Sequence, residues 1–316
     1  MPWPPTSGRG SWPATTSEPV NITWRRLFEE TARVLGERPA ARWLCETACG
    51  LDGDDFIAAL DEPATERMVA HLDAMVARHR SGEPLAYVMG RWSFRHIELM
   101  IDRRVLIPRP ETELVAGRAI ELARGVHHGG EVARRVLDLG TGSGAIGLSM
   151  AHELPISGTE VWLTDASVDA LDVARANAAG LGRVAANVRF AGGDWFDALP
   201  IGLKGGFDVI VSNPPYIATG DPEVELSVVE HEPHGALFAG DDGLDAVRRI
   251  VSEVFDWLTP GGWLVVEVGY RQTEMVRGLM MEAGFEPSHI HIHHDLTPHP
   301  RFISAQSGAL GTRGRG

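Results

Sequence analysis

An apolar run that breaks into alternating glycines constrains this chain more than any other feature. Val136-Leu137-Asp138-Leu139 reads as a buried strand, and Gly140-Thr141-Gly142-Ser143-Gly144-Ala145-Ile146-Gly147 turns it into a helix that starts near Ser143. A strand passing through glycine straight into a helix opens a βαβ unit, because parallel neighbours need a helical crossover. The unit then repeats. Apolar runs near 135 to 139, 161 to 165, 188 to 192, 207 to 212 and 262 to 269 alternate with helical patterns, as in a parallel sheet covered on both faces. The runs near 289 to 294 and 301 to 306 stand too close for a crossover and are expected to be antiparallel. The fold class is therefore α/β, a doubly wound sheet of about seven strands.

The glycine loop has two readings. Gly142, Gly144 and Gly147 match the dinucleotide pattern G-x-G-x-x-G, with Asp165 as the ribose carboxylate. Asp138 speaks against a dinucleotide, because a carboxylate just before the loop repels a pyrophosphate and suits the ammonium of a methionine moiety. S-adenosylmethionine is the better ligand. Asp165 ends the next strand, placed to accept ribose hydroxyls, and Asp194-Trp195 after the third strand offers a polar edge and an aromatic face to adenine.

A second motif names the chemistry. Phe207-Asp208-Val209-Ile210-Val211-Ser212 is a buried strand that ends in Asn213-Pro214-Pro215-Tyr216, at the sheet edge where open α/β proteins bind ligands. The prolines hold Asn213 and Pro214 extended, so the Asn213 side-chain oxygen and the Pro214 carbonyl can converge on one NH2 group. A planar amide or aromatic amine is a poor nucleophile, and accepting both its protons localises the lone pair and aims it. Tyr216 is expected as a wall of the slot. With the glycine loop, this motif points to a methyltransferase.

Composition narrows the partners. The net charge of −14 disfavours a nonspecific grip on phosphate backbones and favours a protein or small-molecule substrate. There is no apolar run of about eighteen residues, and Met1-Pro2-Trp3-Pro4-Pro5-Thr6-Ser7-Gly8 lacks a signal-peptide pattern, so a cytoplasmic protein away from membranes is expected. Cys45 and Cys49 read as buried and reduced. His289, His291, His293, His294 and His299 resemble a metal cluster, but Ile290 and Ile292 supply the buried face of that strand and leave the histidines on the solvated one. No metal is expected. Glu230-His231-Glu232-Pro233 reads as a shaper of the substrate loop.

The domain plan has five parts. Residues 1–20 read as a disordered extension and 309–316 as a disordered tail. Residues 21–82 read as a small helical domain, with Asn21 as N-cap, Trp24, Leu27, Phe28, Thr31, Val34 and Leu35 on the first helix, and Trp43, Leu44 and Ala48 on the second. Phe56, Ile57 and Leu60 mark a third segment, and a long helix from about Pro63 to His79 carries Met68, Leu72, Met75 and Val76. Leu85 to Phe94 followed by Ile97 to Ile101 suggests a β-hairpin connector over 83–104, before a catalytic domain at 105–308.

Asn213-Pro214-Pro215-Tyr216, Asp138-x-Gly140-Thr141-Gly142-Ser143-Gly144 and Leu106-Ile107-Pro108-Arg109-Pro110-Glu111-Thr112-Glu113 together resemble the protein glutamine N5-methyltransferases that modify peptide chain release factors, the HemK/PrmC family. The resemblance spans roughly residues 21 to 306. It implies a class I S-adenosylmethionine-dependent methyltransferase fold, with Gly140, Thr141, Gly142, Ser143, Gly144, Asp165, Trp195 and Asn213 lining the cofactor site. It also implies that Asn213, Pro214, Pro215 and Tyr216 hold the glutamine of a release factor's Gly-Gly-Gln loop, and that the helical domain docks this protein substrate. Arg109, stiff between two prolines, is expected to close over the cofactor, to pair a site carboxylate or to serve a structural role at the surface. Alternatives are an adenine-N6 nucleic-acid methyltransferase, a ribosomal-protein glutamine methyltransferase and a noncatalytic cofactor-binding protein. Arg95-His96 in the connector and Thr297-Pro298-His299-Pro300-Arg301 near the end depart from the family pattern, which expects smaller turns.

Overall fold

In the computed structural model, which describes residues 19–126, 133–295 and 297–308, the chain divides between Arg91 and Trp92 into two units. That break falls inside the expected 83–104 connector. The first unit comprises β1 (Pro19–Thr23), α1 (Trp24–Leu35), α2 (Arg38–Cys49), α3 (Gly53–Ala58), β2 (Pro63–Thr65), α4 (Glu66–Arg80) and α5 (Leu85–Met89). One core joins them: Trp24, Leu27, Leu44, Phe56, Leu72, Met75 and Val88 are buried together. Both cysteines are free and buried in it, and burial pushes their thiols up to about 12 for Cys45 and about 11 for Cys49.

Several expectations for this unit shift. The first helix is capped at Thr23 instead of Asn21, because Pro19–Thr23 pairs as a strand with Pro63–Thr65. Pro63 therefore belongs to β2, and α4 begins at Glu66, where Thr65 Oγ1 accepts the Met68 N–H at 3.3 Å. Leu85–Met89 is a helix instead of a hairpin arm. Ala86, Tyr87 and Val88 are buried consecutively, and Gly90 at φ 71 caps the helix by donating to the Ala86 carbonyl. Val34, Trp43 and Ile57, read as core positions, are largely exposed. Residues 1–18 of the expected extension and 309–316 lie outside the described residues.

In the second unit β3 (Arg91–Phe94) pairs with β4 (Ile97–Met100), so the hairpin exists but is shorter than expected. Then follow α6 (Pro110–Arg124), β5 (Arg134–Leu139), α7 (Ala145–Glu153), β6 (Thr159–Asp165), α8 (Val168–Leu181), β7 (Val188–Gly192), β8 (Phe207–Ser212), α9 (Leu226–His231), α10 (Asp245–Glu253), β9 (Leu258–Glu267), α11 (Thr273–Ala283), β10 (Ile290–His294) and β11 (Pro300–Gln306). They build one seven-stranded sheet in the order β10-β11-β9-β8-β5-β6-β7. β5 is parallel to both β6 and β8, and β11 is antiparallel to β9 and β10. The chain moves outward from β5 to β7 and returns on the other side at β8. That reversal opens a crevice at the carboxyl ends of β5 and β8.

Alternation along the strands decides what points where. Leu137, Leu139, Ile210, Leu264, Val266 and Ile303 share a core with Val247 and Ile250 of α10 and Val276 and Met280 of α11. The alternate residues, among them Asp138, Val211, Val265 and Glu267, face the side on which α6 and α7 pack. Asp138, Val211 and Val265 are in register across three strands. Two residues on, β8 has run out into Asn213 while β9 carries Glu267.

The hairpin turn explains one departure from the family pattern. Arg95 adopts φ 51, a left-handed conformation that favours glycine. Its guanidinium donates to both Glu153 oxygens at 2.7 and 3.1 Å and to the Glu113 carbonyl at 2.9 Å, and its N–H reaches Glu113 Oε1. Gly117 makes room, since a Cβ there would lie 2.9 Å from Arg95 Nη1. Arg95→Ala keeps the strained φ and leaves the largely buried Glu153 only its longer contact with Arg124 at 3.5 Å, so urea unfolding should show a loss of about 2 kcal/mol with an unchanged m-value. Equal stability of the two proteins would refute this account.

Candidate active site

The glycine loop is organised by one carboxylate. Asp138 is 1% exposed, and its Oδ2 accepts the Thr141 hydroxyl at 2.6 Å and the Gly147 N–H at 2.8 Å. Gly147 has to be glycine, because a Cβ would lie 2.6 Å from Leu163 and 3.0 Å from Asp138 Oδ2. Gly140, Gly142 and Gly144 all take positive φ, at 69°, 55° and 88°, which lets the chain turn from β5 into α7. Thr141 is further pinned by donating its N–H to the Thr164 carbonyl at 2.8 Å. Asn177 ties the loop to the hairpin, since its Nδ2 donates to the Ser143 and Met100 carbonyls while its Oδ1 accepts the Met100 N–H.

Asp138 Oδ1 is buried and has no partner. An unsatisfied buried acceptor costs on the order of 1–3 kcal/mol, and an ammonium group removes that deficit. Burial pushes this carboxyl up to about 6, against the two hydrogen bonds that lower it. The cradle therefore fits the methionine end of S-adenosylmethionine.

Asp165 ends β6 as expected, but two backbone donors already engage it: Gly142 N–H on Oδ2 and Ser167 N–H on Oδ1, both at 2.9 Å. Each oxygen keeps a second lone pair for a ribose hydroxyl. Trp195 follows β7 at φ 45, and its ring lies 3.5 Å from where a Gly140 Cβ would sit, so the aromatic face reaches the loop. The Asp194 side chain beside it is exposed, with its carbonyl accepting the Asp197 N–H.

The second motif sits at the end of β8. Asn213 Nδ2 donates to Thr112 Oγ1 at 3.2 Å, and Asn213 Oδ1 is buried with no partner. Thr112 in turn donates to Glu267 Oε2 at 2.8 Å. Burial pushes Glu267 up to about 7, opposed by the Thr112 hydrogen bond. Pro214 is buried, while Pro215 and Tyr216 are half-buried. The Tyr216 phenol is raised by burial and by the charge of Glu267, which keeps it neutral. The Tyr216 carbonyl accepts Gln272 Nε2 at 2.9 Å, and a Cβ on Gly243 would collide with that carbonyl at 2.3 Å. Arg109 donates to buried Glu232, whose other oxygen accepts the Ile107 N–H at 3.0 Å.

Thr112, Asn177, Gly243, Glu267 and Gln272 had no assigned site role in the sequence reading, and Glu232 was read only within the segment 230–233 as a shaper of the substrate loop. Glu267 carries the signature that marked Asp138 and Asp165, an acid at the end of an apolar strand, and was legible on that rule. The histidines divide. His293 is partly buried, stacked on Phe302 and bonded to Ser304 at 2.7 Å, and burial pushes it down to about 4, whereas His291 and His294 are exposed. Among the described residues no group of three His, Cys, Asp or Glu side chains is placed to hold a metal ion.

Comparison with known proteins decides the family. A PrmC N-terminal domain matches residues 23–90 and a methyltransferase domain matches residues 131–294. A release factor glutamine methyltransferase of Burkholderia pseudomallei is 44% identical over 78% of this chain and 84% of its own length. The chain belongs to the release factor glutamine methyltransferases. A second member of the family, from Geobacter sulfurreducens, is 38% identical over 85% of this chain and 92% of its own. A solved protein-(glutamine-N5) methyltransferase from Alicyclobacillus acidocaldarius aligns with a TM-score of 0.37 and 27% identity, over 64% of this chain and 94% of that one. At that score the superposition carries no weight, and membership rests on sequence. S-adenosylmethionine is the methyl donor.

Asp138 must be ionised to meet an ammonium group. Affinity for S-adenosylmethionine should hold above about pH 6 and fall below it, approaching tenfold per pH unit, when followed by titration calorimetry. The empty protein behaves oppositely. A carboxyl raised from 3.8 to about 6 on folding favours the folded state when protonated, a contribution complete below 3.8 and lost as pH rises through 6. Cofactor affinity that stays flat across this range would remove Asp138 from the ammonium site.

Proposed function

We propose that this chain methylates the side-chain amide nitrogen of the glutamine in the Gly-Gly-Gln loop of peptide chain release factors. The observation that carries this reading is Asn213 Oδ1, a buried acceptor with no partner at the carboxyl end of β8. A primary amide NH2 supplies the missing donor. Asn213 Oδ1 takes one proton and the Pro214 carbonyl the other, which localises the nitrogen lone pair and points it along one axis.

Bound S-adenosylmethionine supplies the electrophilic methyl: the nitrogen lone pair forms the N–C bond while the C–S bond breaks and leaves its electron pair on sulfur. Asp138, the loop from Gly140 to Gly144, Asp165 and Trp195 are the residues we assign to holding it. The amide nitrogen gains positive charge as the bond forms, and fixed carbonyl dipoles stabilise that charge without reorganising. Its extra proton then leaves to solvent. Tyr216 walls the slot as a neutral phenol. Arg109 and Glu232 tie the segment after Tyr216 to the loop before α6. The helical unit matched at 23–90 is the part we assign to docking the release factor, and the cytoplasm, where release factors work, is the compartment.

Labelled methyl transfer from S-adenosylmethionine tests this. Wild-type release factor should be labelled, a release factor whose loop glutamine is replaced should not, and unmethylated DNA should stay unlabelled. Asn213→Ala should lower kcat on the order of 10²–10³-fold. Label on DNA, or on the glutamine-replaced factor, would overturn the proposal.

A further inference from the structure

Asn213 has to present its oxygen to the substrate, yet an amide can sit either way round in the same space. What decides the orientation lies one and two residues away in a hydrogen-bond chain. The ionised Glu267 carboxylate, the form that prevails above about pH 7, only accepts, so in that form the single proton of the Thr112 hydroxyl is committed to Glu267 Oε2 at 2.8 Å. Only lone pairs of Thr112 Oγ1 are left for Asn213, and the Asn213 NH2 group takes them at 3.2 Å. Asn213 Oδ1 is thereby turned away from Thr112, buried and free of any partner. Glu267 is 2% exposed and Thr112 3%, so water does not compete for these bonds.

The fold builds this chain deliberately from three elements. Ser212 and Val266 are the last paired residues of β8 and β9, so Asn213 and Glu267 are the next step along adjacent strands. The first turn of α6 sets Thr112 between them. Burying an acid there is otherwise unfavourable, since an apolar side chain of similar shape would stabilise the sheet edge as well or better.

We propose that Glu267 is a positioning residue which, through the hydroxyl of Thr112, fixes the polarity of the Asn213 amide so that it offers an acceptor to the substrate NH2. The proposal rests on the glutamine-amide reading of the site. Without the carboxylate, the Thr112 proton turns to Asn213 Oδ1, and the amide flips to present its own NH2 against that of the substrate. Two donors then face each other and the lone pair is no longer aimed.

Glu267→Met keeps the length of the side chain and removes the acceptor. It should fold with a Tm equal to or above wild type and bind S-adenosylmethionine equally well, while kcat on release factor falls on the order of 10²-fold. Thr112→Val should share that loss and Thr112→Ser should restore most of the rate. Wild-type kcat in Glu267→Met or Thr112→Val would overturn the inference and leave the proposed function standing. Neutron diffraction gives a readout independent of substrate. In wild type the amide deuterons of Asn213 should lie toward Thr112, and in Glu267→Met away from it; Asn213 Oδ1 against Thr112 in wild type refutes the inference whatever the enzyme methylates.

Discussion

One oxygen of Asp138 holds the glycine loop together. By taking the Thr141 hydroxyl and the Gly147 N–H, it joins the end of β5, the glycine loop and the first turn of α7 into one rigid corner. The positive φ angles of Gly140, Gly142 and Gly144 make that corner possible, and the missing Cβ of Gly147 makes it tight. The other oxygen of the same carboxylate is left without a donor. The fold is thus completed with one buried carboxylate oxygen unsatisfied beside the glycine loop.

The position of an acid along a strand separates scaffold from site in this sheet. Asp208, near the amino end of β8, has both oxygens occupied by scaffold donors, the Arg135 N–H and the Thr259 hydroxyl. Asp138 lies one residue before the end of β5 and Asp165 and Glu267 end their strands, and their scaffold partners, like those of Asp208, are neutral: backbone N–H groups or hydroxyls. Neutral partners orient a carboxylate without cancelling its charge. That is why burial can raise Asp138 and Glu267 toward neutrality while their geometry stays fixed.

Much of this was readable from residue order, for reasons that are physical. Strand alternation and the glycine loop placed β5 to β9 within a few residues, and the short link before β11 dictated its antiparallel pairing. Asp138, Asn213 and the glycines were singled out because strand ends in an α/β sheet are chemically distinguished places. Thr112, Gln272 and Asn177 were not, because their roles arise from contacts 101, 56 and 77 residues away along the chain, which no local pattern encodes. Leu85–Met89 was misread for the opposite reason. A five-residue stretch with three consecutive buried residues is too short to show a period, and the cap at Gly90 distinguishes helix from strand.

The salt bridge between Arg109 and Glu232 has a consequence for how such a protein can change over time. Ile217 is bonded to Leu237 and Ala239, and Glu232 is tied back to Arg109 and Ile107, so the segment from 218 to 231 leaves and returns at fixed points. Closing a loop between fixed ends costs entropy that grows only with the logarithm of its length, about 0.6 kcal/mol per doubling. Residues can therefore be gained, lost or exchanged there, including the exposed Leu226, without moving the amide slot. The fixed ends let the surface of this segment diverge while the residues at the end of β8 stay in place.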